Sequence, residues 1–149
     1  MSKLGESNHE RGGQAVIIVN FSHPINEEQR HRIEELTSQK IDLVYDVPCQ
    51  LDQSKDFGPQ VTSLVEKVPI TSDMWQSNPI LVNLPGLHDA AALVLAELHG
   101  RMGHFPACLR IRPVEGSVPV QFEVAEIMNL EAIRQEARKR RFAGHGRNA

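Results

Sequence analysis

The chain has 149 residues, of which 40% are hydrophobic, 23% charged and only 5% aromatic, with a formal net charge of −3. That length fits one domain with an ordinary core, and the mild acidity means that the molecule as a whole is no generic nucleic-acid glue. Two cysteines, Cys49 and Cys108, lie far apart and outside any C-x-x-C pair, which argues against a disulfide framework and against a cysteine zinc site.

Met1 to Gly13 is polar, lacks the apolar core of a signal peptide and reads as a disordered lead-in closed by Gly12-Gly13. Ala15 to Phe21 (AVIIVNF) is a short β-branched apolar run, the pattern of a strand covered on both faces. Pro24 and Asn26 punctuate it. Glu27 to Gln39 follows with helical spacing, placing Ile25, Gln29, Ile33 and Leu36 on one stripe. Asn26 is the expected N-cap, and the acidic first turn complements the helix dipole. Ile41 to Val47 (IDLVYDV) predicts a second strand, stopped at Pro48. Gly58 to Val68 predicts a helix that buries Val61, Leu64, Val65 and Val68.

Pro69 to Asn78 reads as a loop with one helical turn around Asp73 to Gln76, where Trp75 is a packing cover. Pro79 to Leu84 is the third strand, ended by Pro85-Gly86. Leu87 to Met102 is the strongest helix. Its run Ala90 to Leu98 is so apolar that it must lie between layers or in a subunit contact, and Gly100 and Gly103 are its candidate stops. Cys108 to Arg112 and Phe122 to Met128 predict two further strands, and Leu130 to Arg141 a last amphipathic helix.

Short apolar strands alternating with helices predict an α/β fold: a small Rossmann-like three-layer sandwich on a mostly parallel sheet of about five strands. The connection from Arg112 to Phe122 is short enough for a hairpin, so one edge can be antiparallel. The chain thus divides into a lead-in (1–13), a single domain (14–141) and a flexible tail (142–149). No run approaches the roughly 20 apolar residues of a membrane span, and the expected location is the cytoplasm.

In such sheets ligands bind beyond the carboxyl ends of the strands, where the strand order reverses. The first strand delivers Asn20, Phe21, Ser22 and His23 to that edge, the second Asp46 and Val47, the third Asn83, Leu84, Pro85 and Gly86, and the fourth Arg112. In the order 2-1-3-4 the ends of strands one and three flank the crevice. The two asparagines could donate and accept at a purine edge or ribose. Ser22 and His23 could reach phosphate oxygens, and helix starts favour an anion. The same Asn-Phe-Ser-His-Pro segment could equally be a strand end whose side chains bond the turn backbone.

Other chemistries find less in the sequence. Neither G-x-G-x-x-G nor G-x-x-x-x-G-K-[ST] occurs, which disfavours conventional dinucleotide redox chemistry and P-loop phosphoryl transfer. Asp42 and Asp46 share a strand face, a common coincidence and a weak acid–base signal. His99 and His104 are not an i, i+4 pair; capping or interface roles suit them better than a metal site. No metal and no cofactor is expected. Arg138-Lys-Arg-Arg141 reverses the acidic balance and could meet RNA or a phosphate ligand, or be a solvated helix end favourably placed on the dipole. Arg110 and Arg112 share one side of the sheet, which should be covered unless something anionic lies there.

Three stretches taken together carry a family resemblance: Asn20-Phe-Ser-His-Pro, Leu95-Ala-Glu-Leu-His-Gly-Arg-Met-Gly, and Arg110-Ile-Arg-Pro with Phe122-Glu-Val-Ala-Glu-Ile. They resemble the small CRISPR-associated accessory family Csx-fifteen, over about Val16 to Arg138. The resemblance implies a type III CRISPR antiviral setting and a Rossmann-like sensor for cyclic oligoadenylate. The implied partner is cyclic tetra-adenylate in the cleft of a homodimer, with Asn20 to His23 and Asn83 to Gly86 forming each half-site. A two-fold dimer suits a symmetric ring, and Arg112 would add a charge-assisted contact. Sequestration that lowers the free messenger is the expected function. A metal-independent ring nuclease, with His23 as candidate catalytic base and Ser22 as a positioning group, is the alternative. A non-enzymatic Rossmann-type interaction module is the third reading. Neither a membrane nor DNA is an expected partner.

Overall fold

A computed structural model describes residues 15–147, so the lead-in expected over residues 1–13 lies outside the described residues. Five strands, β1 (Val16–Asn20), β2 (Ile41–Asp46), β3 (Ile80–Asn83), β4 (Ala107–Pro113) and β5 (Phe122–Asn129), form one sheet in the order β2-β1-β3-β4-β5. The pairs from β2 through β4 are parallel, and β5 runs antiparallel to β4. The result is a small Rossmann-like α/β fold with an antiparallel edge. The two most apolar strands, β1 and β3, are interior and buried along their whole lengths, which is why neither shows a polar face.

Helices α1 (Glu27–Thr37), α2 (Phe57–Glu66), α3 (Ser72–Ser77), α4 (His88–Met102) and α5 (Leu130–Arg147) complete the chain. Strand alternation splits the core in two. Val16 and Ile18 of β1 meet Ile33 of α1 together with Leu81, Leu109 and Val124. Ile17 and Val19 face the other way, onto Val61 and Val65 of α2, Trp75 of α3, and Val94 and Leu98 of α4. Each fully buried side chain of this size stabilises the fold by roughly 1.5–3 kcal/mol.

The details of α1 come from its first four residues. Asn26 Oδ1 accepts the Gln29 N–H at 2.8 Å, and Gln29 Oε1 accepts the Asn26 N–H at 3.0 Å, a reciprocal capping box. Gln29 sits on the apolar stripe yet is buried without penalty, because its side-chain amide also donates to the Phe122 carbonyl at 2.9 Å. That bond ties α1 to β5. Leu36, expected on the buried stripe, is exposed.

One local boundary needs correction, that of α5, and two expectations are made more exact. In α4 only the row Ala90, Val94, Leu98 and Met102 is buried, while Ala92 and Ala96 face solvent. The apolar run thus packs into the core along this row, with Leu93 and Leu95 partly buried beside it. Gly103, at φ 82°, closes the helix by donating its N–H to the His99 carbonyl at 2.9 Å. The helical turn expected around Asp73 to Gln76 is α3, slightly longer at Ser72–Ser77 and started by Thr71, whose hydroxyl accepts the Met74 N–H. Finally, α5 passes its expected end at Arg141 and runs to Arg147, because nothing in Phe142-Ala143 stops a helix.

Candidate functional site

The chain leaves β1 to form β2 on one side and later returns to form β3 on the other. The switch point therefore lies between the carboxyl ends of β1 and β3. Register places Asn20 level with Asp46 of β2 and Asn83 of β3. Asn20 is 1% exposed and its side chain is fully committed. Its Oδ1 accepts the Ser22 N–H at 3.0 Å and Asn83 Nδ2 at 2.9 Å. Its Nδ2 donates to Asp46 Oδ1 at 2.8 Å and to the His23 carbonyl at 2.9 Å. That accounts for both donors and both acceptor positions of an amide. Main-chain bonds from Val47 N–H to the Asn20 carbonyl (2.7 Å) and from Phe21 N–H to the Asn83 carbonyl (2.9 Å) close the same seam. Asn20 is thus a clamp across three strand ends and bonds its own turn, with no amide group left to read a base.

The other sequence-derived positions divide by exposure. Ser22 and His23 are exposed at the tip, with Phe21 beneath them in the core at 2%. Leu84 is half-buried and Pro85 buried, whereas Gly86 is exposed with open space around its Cα. Just beyond, α4 begins at His88 after Leu87, which provides no side-chain cap, so its first N–H groups have no capping side chain. His88 there contacts Asp89 Oδ1 at 3.0 Å. Glu27 and Glu28 of the first turn of α1 join Asp46 and Asp89 to make the surrounding rim acidic.

Arg112 is placed differently from the strand tips. The β3–β4 pairing ends at Val82↔Cys108, and beyond it β4 and β5 continue as a two-stranded ribbon. Arg112 stands about 13 Å further along β4 at ordinary strand rise, with Nη2 at 3.5 Å from Glu123 Oε2. Arg110 Nε donates to Glu126 Oε2 at 2.7 Å. The two arginines expected to face an anion are matched by carboxylates across the ribbon. A register shift between Arg110 and Ile111 sets that matching, and a shift of this kind leaves no mark in the sequence.

A groove of about 550 Å³, unforeseen in the sequence, opens at the opposite, amino end of the sheet, with Val16, Pro79, Met102, His104, Ala107 and Asn129 among its lining residues. Its walls come from elements scattered along the chain, so no local motif marks it. His99 packs against Phe105, one of the lining residues, at 4.4 Å between ring centroids with the planes tilted by 49°. Glu131 accepts the Phe105 N–H at 3.0 Å, and this bond, helped by Gln135, holds the Glu131 carboxyl below its ordinary value.

Elsewhere, burial pushes the Cys108 thiol up to about 12 and raises that of half-buried Cys49. Among the described residues, no three His, Cys, Asp or Glu side chains converge as metal ligands, and no helix is long and apolar enough to cross a membrane. Comparison of the chain with protein-family models, with curated proteins and with solved structures finds no match.

Proposed function

We propose that the chain binds cyclic tetra-adenylate between the carboxyl sheet edges of two copies and lowers the free messenger by holding it. The observation that carries this reading is the Asn20–Asn83 bond of 2.9 Å at the switch point. It sets the exposed Ser22-His23 tip beside the open Gly86 loop and the uncapped start of α4. A hydroxyl, an imidazole and free backbone N–H groups on one edge are what phosphate oxygens require. The resemblance to the Csx-fifteen family supplies the identity of the ligand. Because the rim is acidic, affinity is expected to rest on these directed hydrogen bonds and on adenine packing more than on net charge.

The test is a thermal unfolding series with cyclic tetra-adenylate, followed by the emission of Trp75, the single tryptophan. Ligand at about 100 times Kd should add about 2.7 kcal/mol of stability, and light scattering should report a dimer. Ser22→Ala and His23→Ala should weaken binding and leave the ligand-free transition in place, since both side chains are exposed. Absence of any shift at millimolar ligand would leave a Rossmann-type interaction module. Linear product formed over many turnovers would replace sequestration by ring cleavage with His23 as base.

A further inference from the structure

The messenger reading leaves α5 without a role, and its chemistry is distinct from the rest of the molecule. The helix springs from Asn129 of β5, which pairs with Ala107, the first residue of β4. It therefore starts at the amino edge of the sheet, away from the Ser22-His23 tip. Leu130, Glu131 and Arg134 are half-buried, but every residue from Gln135 to Ala143 is exposed. A stretch of helix with no packed face gains nothing from the core and is marginal by itself.

Its charge is concentrated. Arg134 is paired with Glu131 at 3.2 Å and Lys139 with Glu136 at 3.1 Å. Arg138, Arg140 and Arg141 form no ion pair among the described residues. Helical spacing puts Arg134, Arg138 and Arg141 on one stripe with Phe142. The Arg138 and Arg141 guanidinium carbons stand 5.6 and 5.0 Å from the centre of the Phe142 ring, which remains 54% exposed.

We infer that this stripe is a docking face for a single strand of nucleic acid. The argument is charge complementarity combined with planarity. Unpaired guanidinium groups bind phosphates in a fork geometry, and an exposed ring flanked by flat cations is a surface on which an unpaired base stacks. Arg134 to Arg141 spans about 10 Å of helix axis, long enough for a few successive phosphates. A duplex hides its base faces, so it would use the arginines alone. The face reads no sequence and treats RNA and DNA single strands alike.

The full chain is titrated with labelled 20-mers of oligo-U RNA, oligo-dT and duplex DNA over a salt series, by fluorescence anisotropy. Two phosphate contacts, from Arg138 and Arg141, the unpaired arginines of the stripe, predict a log–log salt slope of about −1.4 on the single strands. R138Q/R141Q should flatten the slope by about 1.4. F142A should weaken both single strands by roughly tenfold and leave duplex binding unchanged. These substitutions lie on exposed positions, so the Trp75 thermal transition and the shift caused by cyclic tetra-adenylate should match wild type. No binding at 50 mM salt, or wild-type single-strand affinity in R138Q/R141Q, would overturn the inference. Equal weakening of single strands and duplex by F142A would overturn the stacking contact.

Discussion

Replacing Asn20 by alanine removes the clamp between the first three strands without touching an exposed surface. Four hydrogen bonds are lost, at 2.8 to 3.0 Å. Ser22, His23 and Asp46 are exposed, so water replaces much of what they lose. Asn83 is different. It is 6% exposed and its amide would remain in place without that partner. Net hydrogen bonds of about 0.5–1.5 kcal/mol, plus about 1–3 kcal/mol for an orphaned buried donor, give an expected loss near 3 kcal/mol.

Urea denaturation followed by Trp75 emission measures this loss, and an unchanged m-value would show that the variant still unfolds as one unit. N20D separates hydrogen bonding from size. It keeps the acceptor but sets a carboxylate oxygen where the amide donated to Asp46 Oδ1 and the His23 carbonyl. That charge is repelled in the folded state, so the introduced carboxyl has a raised folded pKa. Its penalty is complete above that pKa and is relieved as pH falls below it. At pH 7 N20D should be less stable than N20A, and the gap should close toward roughly pH 4. The reasoning fails if N20A costs less than about 1 kcal/mol, or if N20D matches wild type at pH 7.

Two further outcomes follow from the titrating groups. Glu131 is held below its ordinary value of 4.5 chiefly by the Phe105 N–H. Its stabilising contribution is therefore present above 4.5 and is lost as pH falls through the lowered folded value. Hydrogen exchange should show the protection factor of the Phe105 amide collapsing on acidification, and Glu131→Ala should make that factor low and pH-independent; a constant, high protection factor in wild type would count against the bond. At pH 8 a thiol reagent should titrate one thiol per native chain, Cys49, because burial holds Cys108 near 12. Unfolding should release the second, and equal native rates would contradict the burial of Cys108.

Much of the fold could be read residue by residue. The β-branched run of β1 announced a strand covered on both faces, and Asn26 before an acidic turn announced the start of α1. The almost continuously apolar stretch in α4 was less informative, because alanines at positions 92 and 96 suit a solvent-facing helix as well as a buried one. The strand-end rule located the exposed tip residues Ser22, His23 and Gly86. It could not say that Asn20 would be consumed by Asn83 and Asp46, which lie 63 and 26 residues away along the chain. Nor could it match Arg112 with Glu123, since that depends on the irregular register of the ribbon.

Past Cys108 the β4–β5 ribbon has no third strand beside it among the described residues, and its register shift at Arg110 and Ile111 creates a natural bend point there. Gln29 fastens Phe122, at the outer part of the ribbon, to the first turn of α1. The same side chain grips Asn26, immediately downstream of Ser22 and His23. Any neighbour that pushes the ribbon sideways acts on a lever whose short arm ends at the β1–α1 loop. A displacement of the ribbon would therefore reach that loop through the Gln29 amide together with the Ile33–Val124 packing beneath it.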